Sequence, residues 1–390
     1  MPDTSPDRHL LQRALELARS GTGLASPNPY VGAVITDAAG NVAGSGTYTY
    51  DGVKHAEIHA LEAAGVRARG GTLYINLEPH AHQGRTPPCT DALIGAGIRR
   101  VVASMADPNP KVSGRGLEQL RAAGVQVEVG GLEPEARRLN EAFARYSRSA
   151  TPFVTLKSAM TLDGKIAPPQ GLESGDDPQE GSGFSGHWIT GEAARAHVQQ
   201  LRHEHDAILS GIGTILADNP LLTDRSGRPR RRRLLRVILD SHLRIPLDSR
   251  LVQSAAAERK NDVLVFCASE DGVKIAELER HGLRVETVPA AGRNARIDLH
   301  AVIRRLGELE IISVMIEGGS AVNGAALAAN IVDKVLLYYA PLIFGSNASV
   351  PFAPTGVLSV DSRLRAKNIH LHQFGQDIAI GGYLRDPYGD

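Results

Sequence analysis

A two-domain α/β architecture is what this sequence predicts, on three observations. Short apolar runs that read as strands alternate with helix-period segments over most of the chain. The chain has 390 residues, more than a single core usually serves. The pattern turns polar around Arg145–Thr151 and restarts at Pro152, which predicts one domain over 1–149 and a second over 150–390.

The elements follow in order. Leu10, Ala14, Leu17 and Ala18 recur at helical spacing, and Val31–Ile35 reads as a buried strand. A turn at Asp37–Asn41 returns the chain through Val42–Thr47 as a hairpin. His55–Ala64 then reads as helix, Thr72–Leu77 as strand and Thr90–Ala96 as helix. Val101–Met105, Leu117–Ala123 and Val125–Val129 continue as strand, helix and strand. Beyond the boundary, strands are predicted at Phe153–Lys157, Ala207–Leu209, Arg236–Leu239, Val263–Phe266, Ser313–Ile316 and Lys334–Tyr339. Helices are predicted at Glu192–His203, Leu299–Leu306 and Ala321–Ala329. The stretch 168–183, rich in Gly, Pro, Ser and acidic residues, reads as a lid or a disordered insertion.

Composition narrows the function classes. Lys+Arg and Asp+Glu each number 43, so no net charge draws the whole protein to nucleic acid or membrane. The first residues are polar and acidic, without the apolar core of a signal peptide, and no apolar run is long enough to span a bilayer. The two cysteines, Cys89 and Cys267, exclude a disulfide framework and fit a reducing cytoplasm. The run Arg228–Arg233 could meet nucleic acid, but without interleaved aromatics it reads as a solvated loop.

One constellation carries chemistry. His55-Ala56-Glu57 at a helix start and Pro87-Pro88-Cys89 at a later one are the two halves of a zinc nucleobase-deaminase site. His55 offers an imidazole, and Glu57 lies close enough to move protons without binding metal. Cys89 offers a thiolate that the helix dipole favours. The predicted strand Thr72–Leu77 runs into Glu78-Pro79-His80, placing His80 beside Cys89, so His55, His80 and Cys89 can form a three-ligand zinc site. The alternative is that His80 merely fills space and the metal is lost. His59, one turn after His55, reads as a structural helix histidine. His82 lies in a polar loop and reads as a substrate contact rather than a ligand.

The chain resembles the bifunctional deaminase-reductase family of riboflavin biosynthesis over nearly its whole length. The motifs that carry the resemblance are Ser26-Pro27-Asn28-Pro29-Tyr30-Val31-Gly32, His55-Ala56-Glu57-Ile58-His59-Ala60-Leu61, Leu77-Glu78-Pro79 and Gly84-Arg85-Thr86-Pro87-Pro88-Cys89. They continue with Asp107-Pro108-Asn109-Pro110, Thr161-Leu162-Asp163-Gly164-Lys165, Trp188-Ile189-Thr190-Gly191 and Glu317-Gly318-Gly319. The family has cysteine where this chain has His80. The resemblance implies an N-terminal cytidine-deaminase-like three-layer α/β/α domain and a C-terminal domain similar to dihydrofolate reductase. It implies zinc-dependent deamination of 2,5-diamino-6-(5-phosphoribosylamino)pyrimidin-4-one, followed by NADPH-dependent reduction of the ribosyl group to a ribityl chain. Loss of metal at His80 would leave a reductase with a silent deaminase domain.

The second half has no Gly-x-Gly-x-x-Gly after a strand, so a Rossmann fingerprint is absent. Ser313–Ile316 runs instead into Glu317-Gly318-Gly319-Ser320 and a helix. On its own a Gly-Gly there is an ordinary turn, though it also lets a phosphate approach a helix start. With the resemblance it becomes the implied NADPH cradle: Gly319, Ser320, Ala321, Val322, Asn323, Gly324 and Ala325. Ala159, Trp188, Thr214 and Asp218 are further implied cofactor positions. Trp188 read without the resemblance could equally be core filler. Asn28, His82, Gly186, Arg202, Leu222, Arg225 and Glu317 are implied substrate positions, the arginines suiting a phosphorylated pyrimidine substrate. A homo-oligomer is expected, with neither nucleic-acid nor membrane partners.

Overall fold

The computed structural model describes residues 6–84, 86–167, 188–291, 296–345, 348–352 and 364–389. The predicted lid at 168–183 and the candidate residue Gly186 lie outside the described residues. The chain divides into two compact units. The first runs to Ala150 and includes Pro229–Arg232; the second takes the rest from Thr151 onward.

The first unit runs α1 (Pro6–Ser20), β1 (Gly32–Thr36), β2 (Val42–Thr47), α2 (Ala56–Ala64), a 3-10 turn (Gly65–Ala68) and β3 (Thr72–Ile75). It continues with α3 (Cys89–Ala96), β4 (Arg100–Ala103), α4 (Arg115–Ala122), β5 (Gln126–Val129), α5 (Glu133–Leu139) and α6 (Glu141–Ser149). Among the described residues its sheet has the order β2-β1-β3-β4-β5. Strand β1 is antiparallel to β2 and β3, whereas β3, β4 and β5 run parallel.

Period-two alternation explains why both faces of that sheet are covered. Ala33, Ile35, Leu73, Ile75, Val101 and Ala103 share one buried cluster with Ala56, Ala60 and Ala64 of α2 and Leu93 of α3. The intervening Val34, Tyr74 and Val102 are buried too. That second face is where α1 lies, because a Cβ on Gly32 would stand 2.2 Å from the Ala14 carbonyl oxygen. Glycine is required again under α2: a Cβ on Gly44 or Gly46 would fall 2.3 Å from the carbonyl of Ala60 or Ala56 respectively. Small residues on helix and strand together let α2 sit hard on β2, and this fixes the position of its first turn.

The second unit runs β6 (Phe153–Thr161), α7 (Glu192–Glu204), β7 (Ala207–Gly211), α8 (Ile212–Asp218), β8 (Leu235–Leu239), α9 (Arg250–Glu258) and β9 (Val263–Cys267). Then come α10 (Gly272–Arg280), β10 (Arg284–Thr287), a two-residue ladder of β11 (Ala290–Ala291) with β12 (Arg296–Ile297), and α11 (Leu299–Glu308). The chain ends with β13 (Ser313–Ile316), α12 (Ser320–Ala328), β14 (Lys334–Ala340), β15 (Lys367–Phe374) and β16 (Asp377–Tyr383). The sheet order is β10-β9-β8-β7-β13-β6-β14-β16-β15, parallel from β10 to β14 and closed by an antiparallel pair.

Parallel strands packed on both faces read as continuous apolar runs, and β7, β9 and β13 are buried throughout. Two separate apolar clusters line the two faces of the sheet. Sequence pattern gave no warning of α5 and α6 in the first unit, nor of α8, α9, α10, β10 or the β15–β16 hairpin in the second. In β15 the reason is physical: most of its residues are exposed, so its ladder to β16 rather than a buried face holds it. Among the described residues no helix is long and apolar enough to cross a membrane.

Candidate functional site

In the first unit three side chains converge from three elements. His55 is the N-cap of α2, with extended backbone and no side-chain cap bond of its own, so its ring is free to face away from the helix. Cys89 opens α3 behind Pro88 and is buried. His80 follows β3 on the turn Glu78-Pro79-His80. The Cys89 Sγ lies 3.3 Å from His55 Nδ1, and the His55 and His80 rings are 4.8 Å apart. One donor atom from each of His55, His80 and Cys89 falls within 4.8 Å of the others, and among the described residues no other His, Cys, Asp or Glu group converges in this way.

The remaining neighbours are placed with equal definition. Glu57, 2% exposed, lies close enough to Cys89 for its charge to act on the thiol. Thr86 Oγ1 stands 3.4 Å from His55 Nε2, and Tyr48 meets the His55 ring edge-on. Asn28 Nδ2 donates to the Tyr48 hydroxyl at 2.5 Å, which ties the candidate substrate residue Asn28 to the same wall. His82 is exposed, with its ring 4.2 Å from that of His80, and it stays outside the converging donor set. His59 also lies outside that set.

Glu78, which sequence reasoning noted only within a motif, determines where His80 sits. Its buried carboxylate accepts from the backbone N–H groups of Asp107, Gly114 and Gly116 at 2.9, 2.8 and 2.7 Å. Gly116 presses so close that a Cβ there would lie 2.2 Å from the Pro79 carbonyl oxygen. Asp107 beside it is pushed up to about 6, by burial first and by the Glu78 charge, against a bond from the Asn109 N–H.

The helix-dipole argument favours a Cys89 thiolate, but the structure sets larger effects against it. Burial first, and then the neighbouring Glu57 carboxylate, push the thiol far above its ordinary value. His80 is pulled down to about 4, chiefly by burial and then by His55 and His82. Its Nδ1 is buried without a hydrogen-bond partner. A neutral imidazole nitrogen without a partner, a second imidazole and a thiol that converge at one point are donors a divalent cation takes. A cation there would also reverse the bias against the thiolate. The residues fit zinc.

The second unit brings a different cluster together. Glu317, directly after β13, receives two bonds from Arg202 of α7, Nε to Oε1 at 3.0 Å and Nη2 to Oε2 at 2.8 Å. Their side chains are 12% and 10% exposed. Arg202 Nη1 also donates to the Thr223 carbonyl at 3.0 Å. Burial raises the Glu317 pKa, but Arg202 and Lys157 outweigh it and hold the carboxyl down to about 2. Lys157 is the residue the sequence reading missed, although a lysine inside the apolar run Phe153–Met160 was a signal. Burial pulls its pKa down, Glu317 opposes that, and Arg202 adds to it.

Around this pair, Gly319 caps α12 without a side-chain bond, leaving the helix's first N–H groups uncapped by any side chain. A Cβ on Gly319 would sit 3.6 Å from Thr214 Oγ1, so the two candidate cofactor positions are neighbours. Gly211 and Gly318 both make room for Val322, where a Cβ would come within 2.5 and 2.8 Å. Asn323 is fully buried and donates to the Pro351 carbonyl. This open helix start, walled by glycine, is a shape a nucleotide phosphate fits.

Trp188 is 54% exposed with Arg195 over its ring, which rules out core filler. Ala159 packs at the edge of one apolar cluster, and Asp218 ends α8 with its carboxyl pushed up by burial. Leu222 is buried with positive φ, and Arg225 is exposed. The arginine run is not simply solvated: Arg231 lies over the Tyr50 ring and donates to the Ser26 carbonyl within the first unit. Arg233 pairs with Glu258 in the second.

Two family models match the chain. Residues 4–105 match the cytidine and deoxycytidylate deaminase zinc-binding region, and residues 152–380 match the RibD C-terminal domain. The chain is 41% identical to riboflavin biosynthesis protein RibD of Actinobacillus pleuropneumoniae, covering 98% of this chain and 97% of that protein. It is 36% identical to RibD of Escherichia coli strain K12, covering 96% and 98%. Among solved structures, Acinetobacter baumannii RibD superposes with a TM-score of 0.80 at 33% identity over 97% of this chain and 98% of that one. A Thermotoga maritima diaminohydroxyphosphoribosylaminopyrimidine deaminase/5-amino-6-(5-phosphoribosylamino)uracil reductase does so with 0.76 at 34%, covering 97% and 98%.

Proposed function

Because the chain belongs to the RibD family, the bifunctional deaminase-reductases of riboflavin biosynthesis, we propose a division of labour and named residues for each reaction. Residues 1–149 deaminate 2,5-diamino-6-(5-phosphoribosylamino)pyrimidin-4-one, and residues 150–390 reduce the ribosyl group of the product. The observation that carries the first half is the meeting of His55, His80 and Cys89 donor atoms around a buried, unpartnered His80 Nδ1. Zinc held by these three would act as a Lewis acid that makes hydroxide available at neutral pH.

This chain's own residues do the rest. Glu57, buried against Cys89, takes the proton of the attacking water and delivers it to the departing amine nitrogen. Asn28, braced on Tyr48, and His82, exposed at the rim, are placed to hold the pyrimidine and its substituent. Glu78 holds the turn that presents His80.

In the second half NADPH would supply the hydride. The uncapped start of α12, Gly319 through Ala325, takes a phosphate of the dinucleotide, with Thr214 beside Gly319. Trp188, Ala159 and Asp218 complete the proposed cofactor surface. Arg202 acts through Glu317: bonded to it on two sides, it keeps that carboxylate charged and fixed toward the ribosyl group. Exposed Arg225 is then the freer cation for the substrate phosphate, with Leu222 shaping the loop that carries it. Lys157, which interacts with Glu317, is a further hydrogen-bond donor in the same cluster.

We place the enzyme in the cytoplasm, as its two unpaired cysteines suit, and expect it to act as a homo-oligomer. Engagement of Arg231 with Tyr50 and Asp51, and of Arg233 with Glu258, argues against a nucleic-acid role for the arginine run. The deciding experiment assays purified full-length protein for bound zinc, ammonia release from the diaminopyrimidine and NADPH oxidation with the deaminated product. All three are expected. NADPH oxidation with neither zinc nor ammonia would identify a reductase with a silent deaminase domain.

A further inference from the structure

The proposed metal centre has an unusual balance of donors, and resting on that site we propose that His80 sets its metal preference, favouring zinc and disfavouring soft cations such as Cd2+. The argument begins with sulfur. Only Cys89 and Cys267 occur in the chain. Cys267 belongs to β9 of the second unit and interacts with Ser269 and Thr287. A single thiolate is therefore all this site can offer. The other two donors are imidazoles, His55 with Nδ1 3.3 Å from the sulfur and His80 with a buried Nδ1 that has no protein partner.

Thiolates favour soft, polarisable ions, whereas imidazole suits borderline ions such as zinc. Preference between two ions is a difference of two affinities, so each thiolate exchanged for imidazole moves the ratio toward zinc even where both affinities fall. The position of His80 makes that exchange effective. Its turn is held by three backbone bonds to Glu78, so the imidazole is delivered to the site rather than left to swing from it. Charge does not separate the two ions, since two neutral imidazoles and one thiolate leave either of them with one positive unit, so the preference rests on donor softness.

The test uses the full-length protein and its His80→Cys variant, each equilibrated with equimolar Zn2+ and Cd2+, with bound metals measured by mass spectrometry. The native protein is expected to keep mainly zinc, and the variant to shift its Cd/Zn occupancy ratio toward cadmium by about tenfold or more. Equal ratios in the two proteins would overturn the inference. Loading with Co2+ separates that failure from failure of the site itself. Sulfur-to-cobalt charge transfer of one thiolate is expected natively, and of two in the variant. Native charge transfer with unchanged Cd/Zn ratios overturns only the role of His80, while absence of charge transfer overturns the metal site and the inference together. Should His80→Cys fail to fold, the native protein decides alone: loss of most zinc to equimolar Cd2+ refutes the proposal.

Discussion

The cluster at His55, His80 and Cys89 and the cluster at Glu317 and Arg202 are both enclosed, yet they are built from different materials. The first is a set of donor atoms, and its chemistry demands particular residue types at particular places. The second is a charge pair beside an uncapped helix start, where what matters is the backbone's shape and which distant segments meet. Arg202 and Glu317 are separated by 115 positions, while His55 and Cys89 are 34 apart. A metal site of this kind announces itself through composition, and a dinucleotide cradle outside the Rossmann pattern does not.

The sharpest way to break this comparison is to remove Glu57, the proton carrier proposed for the first site. Glu57→Gln keeps the size and burial of the side chain but cannot take a proton. Ammonia release is expected to fall by about a thousandfold, with zinc content and NADPH oxidation unchanged. A variant that retained even a tenth of the native deamination rate would move the acid-base role to another group.

The matching change in the second unit is Arg202→Met. It leaves Glu317 nearly buried and without its bidentate partner, at a cost of about 3 kcal/mol to that unit. Unfolding by denaturant, together with loss of NADPH oxidation, measures it. The sign with pH follows from Glu317 being held down to about 2. A carboxyl depressed in the folded state stabilises above its ordinary pKa, and the contribution disappears as pH falls from the mid-range toward 2. The native protein should therefore lose its advantage over Arg202→Met on acidification. A stability difference that stays constant down to pH 3 would show that packing, not charge, is what the pair contributes.

Legibility in the sequence divides along the same line. The first unit's strands and its helices up to α4 were visible because alternation in β1 and β3 and small residues on α2 face a sheet covered on both sides, whereas α5 and α6 were not foreseen. The importance of Glu78 was not visible, because its three partners are backbone N–H groups, which carry no residue signature. In the second unit the parallel strands read plainly as apolar runs, but α8 and the exposed edge strand β15 did not. Lys157 was passed over as one residue of an apolar strand, because nothing local pointed to Glu317 as its neighbour. The place of His80 beside Cys89 was readable from its position after a strand; the effect of burial on Cys89 was not, since it depends on how the surrounding elements pack around the sulfur.

A smaller effect sharpens the account of how the first site is supported. Asp107 is pushed up to about 6 from an ordinary 3.8, so the folded protein holds a proton there that the unfolded chain releases. Stability therefore falls as pH rises from about 4 to about 6 and stays lower above that, by about 3 kcal/mol. Asp107→Asn can still accept from the Asn109 N–H and carries no charge. Its melting temperature should exceed that of the native protein at pH 7.5 and match it near pH 4; identical profiles at both values would show that the Asp107 charge has no such cost.

The mildest change tests whether backbone shape is what the second site depends on. Gly319 has φ −77°, which any residue adopts, and a Cβ there would meet only Thr214 Oγ1, at an ordinary 3.6 Å. Gly319→Ala should therefore fold and melt as the native protein does. If the start of α12 takes a phosphate, the added methyl group stands where that phosphate must approach, and the KM for NADPH should rise about tenfold, or about 1.4 kcal/mol of binding. Deamination should not change. Gly318→Ala is the contrasting variant, because its Cβ would come 2.8 Å from Val322 and disturb the fold itself. A rise in KM for Gly319→Ala without loss of melting temperature separates occupation of the cradle from damage to it, and an unchanged KM would place the cofactor's phosphate elsewhere on the sheet.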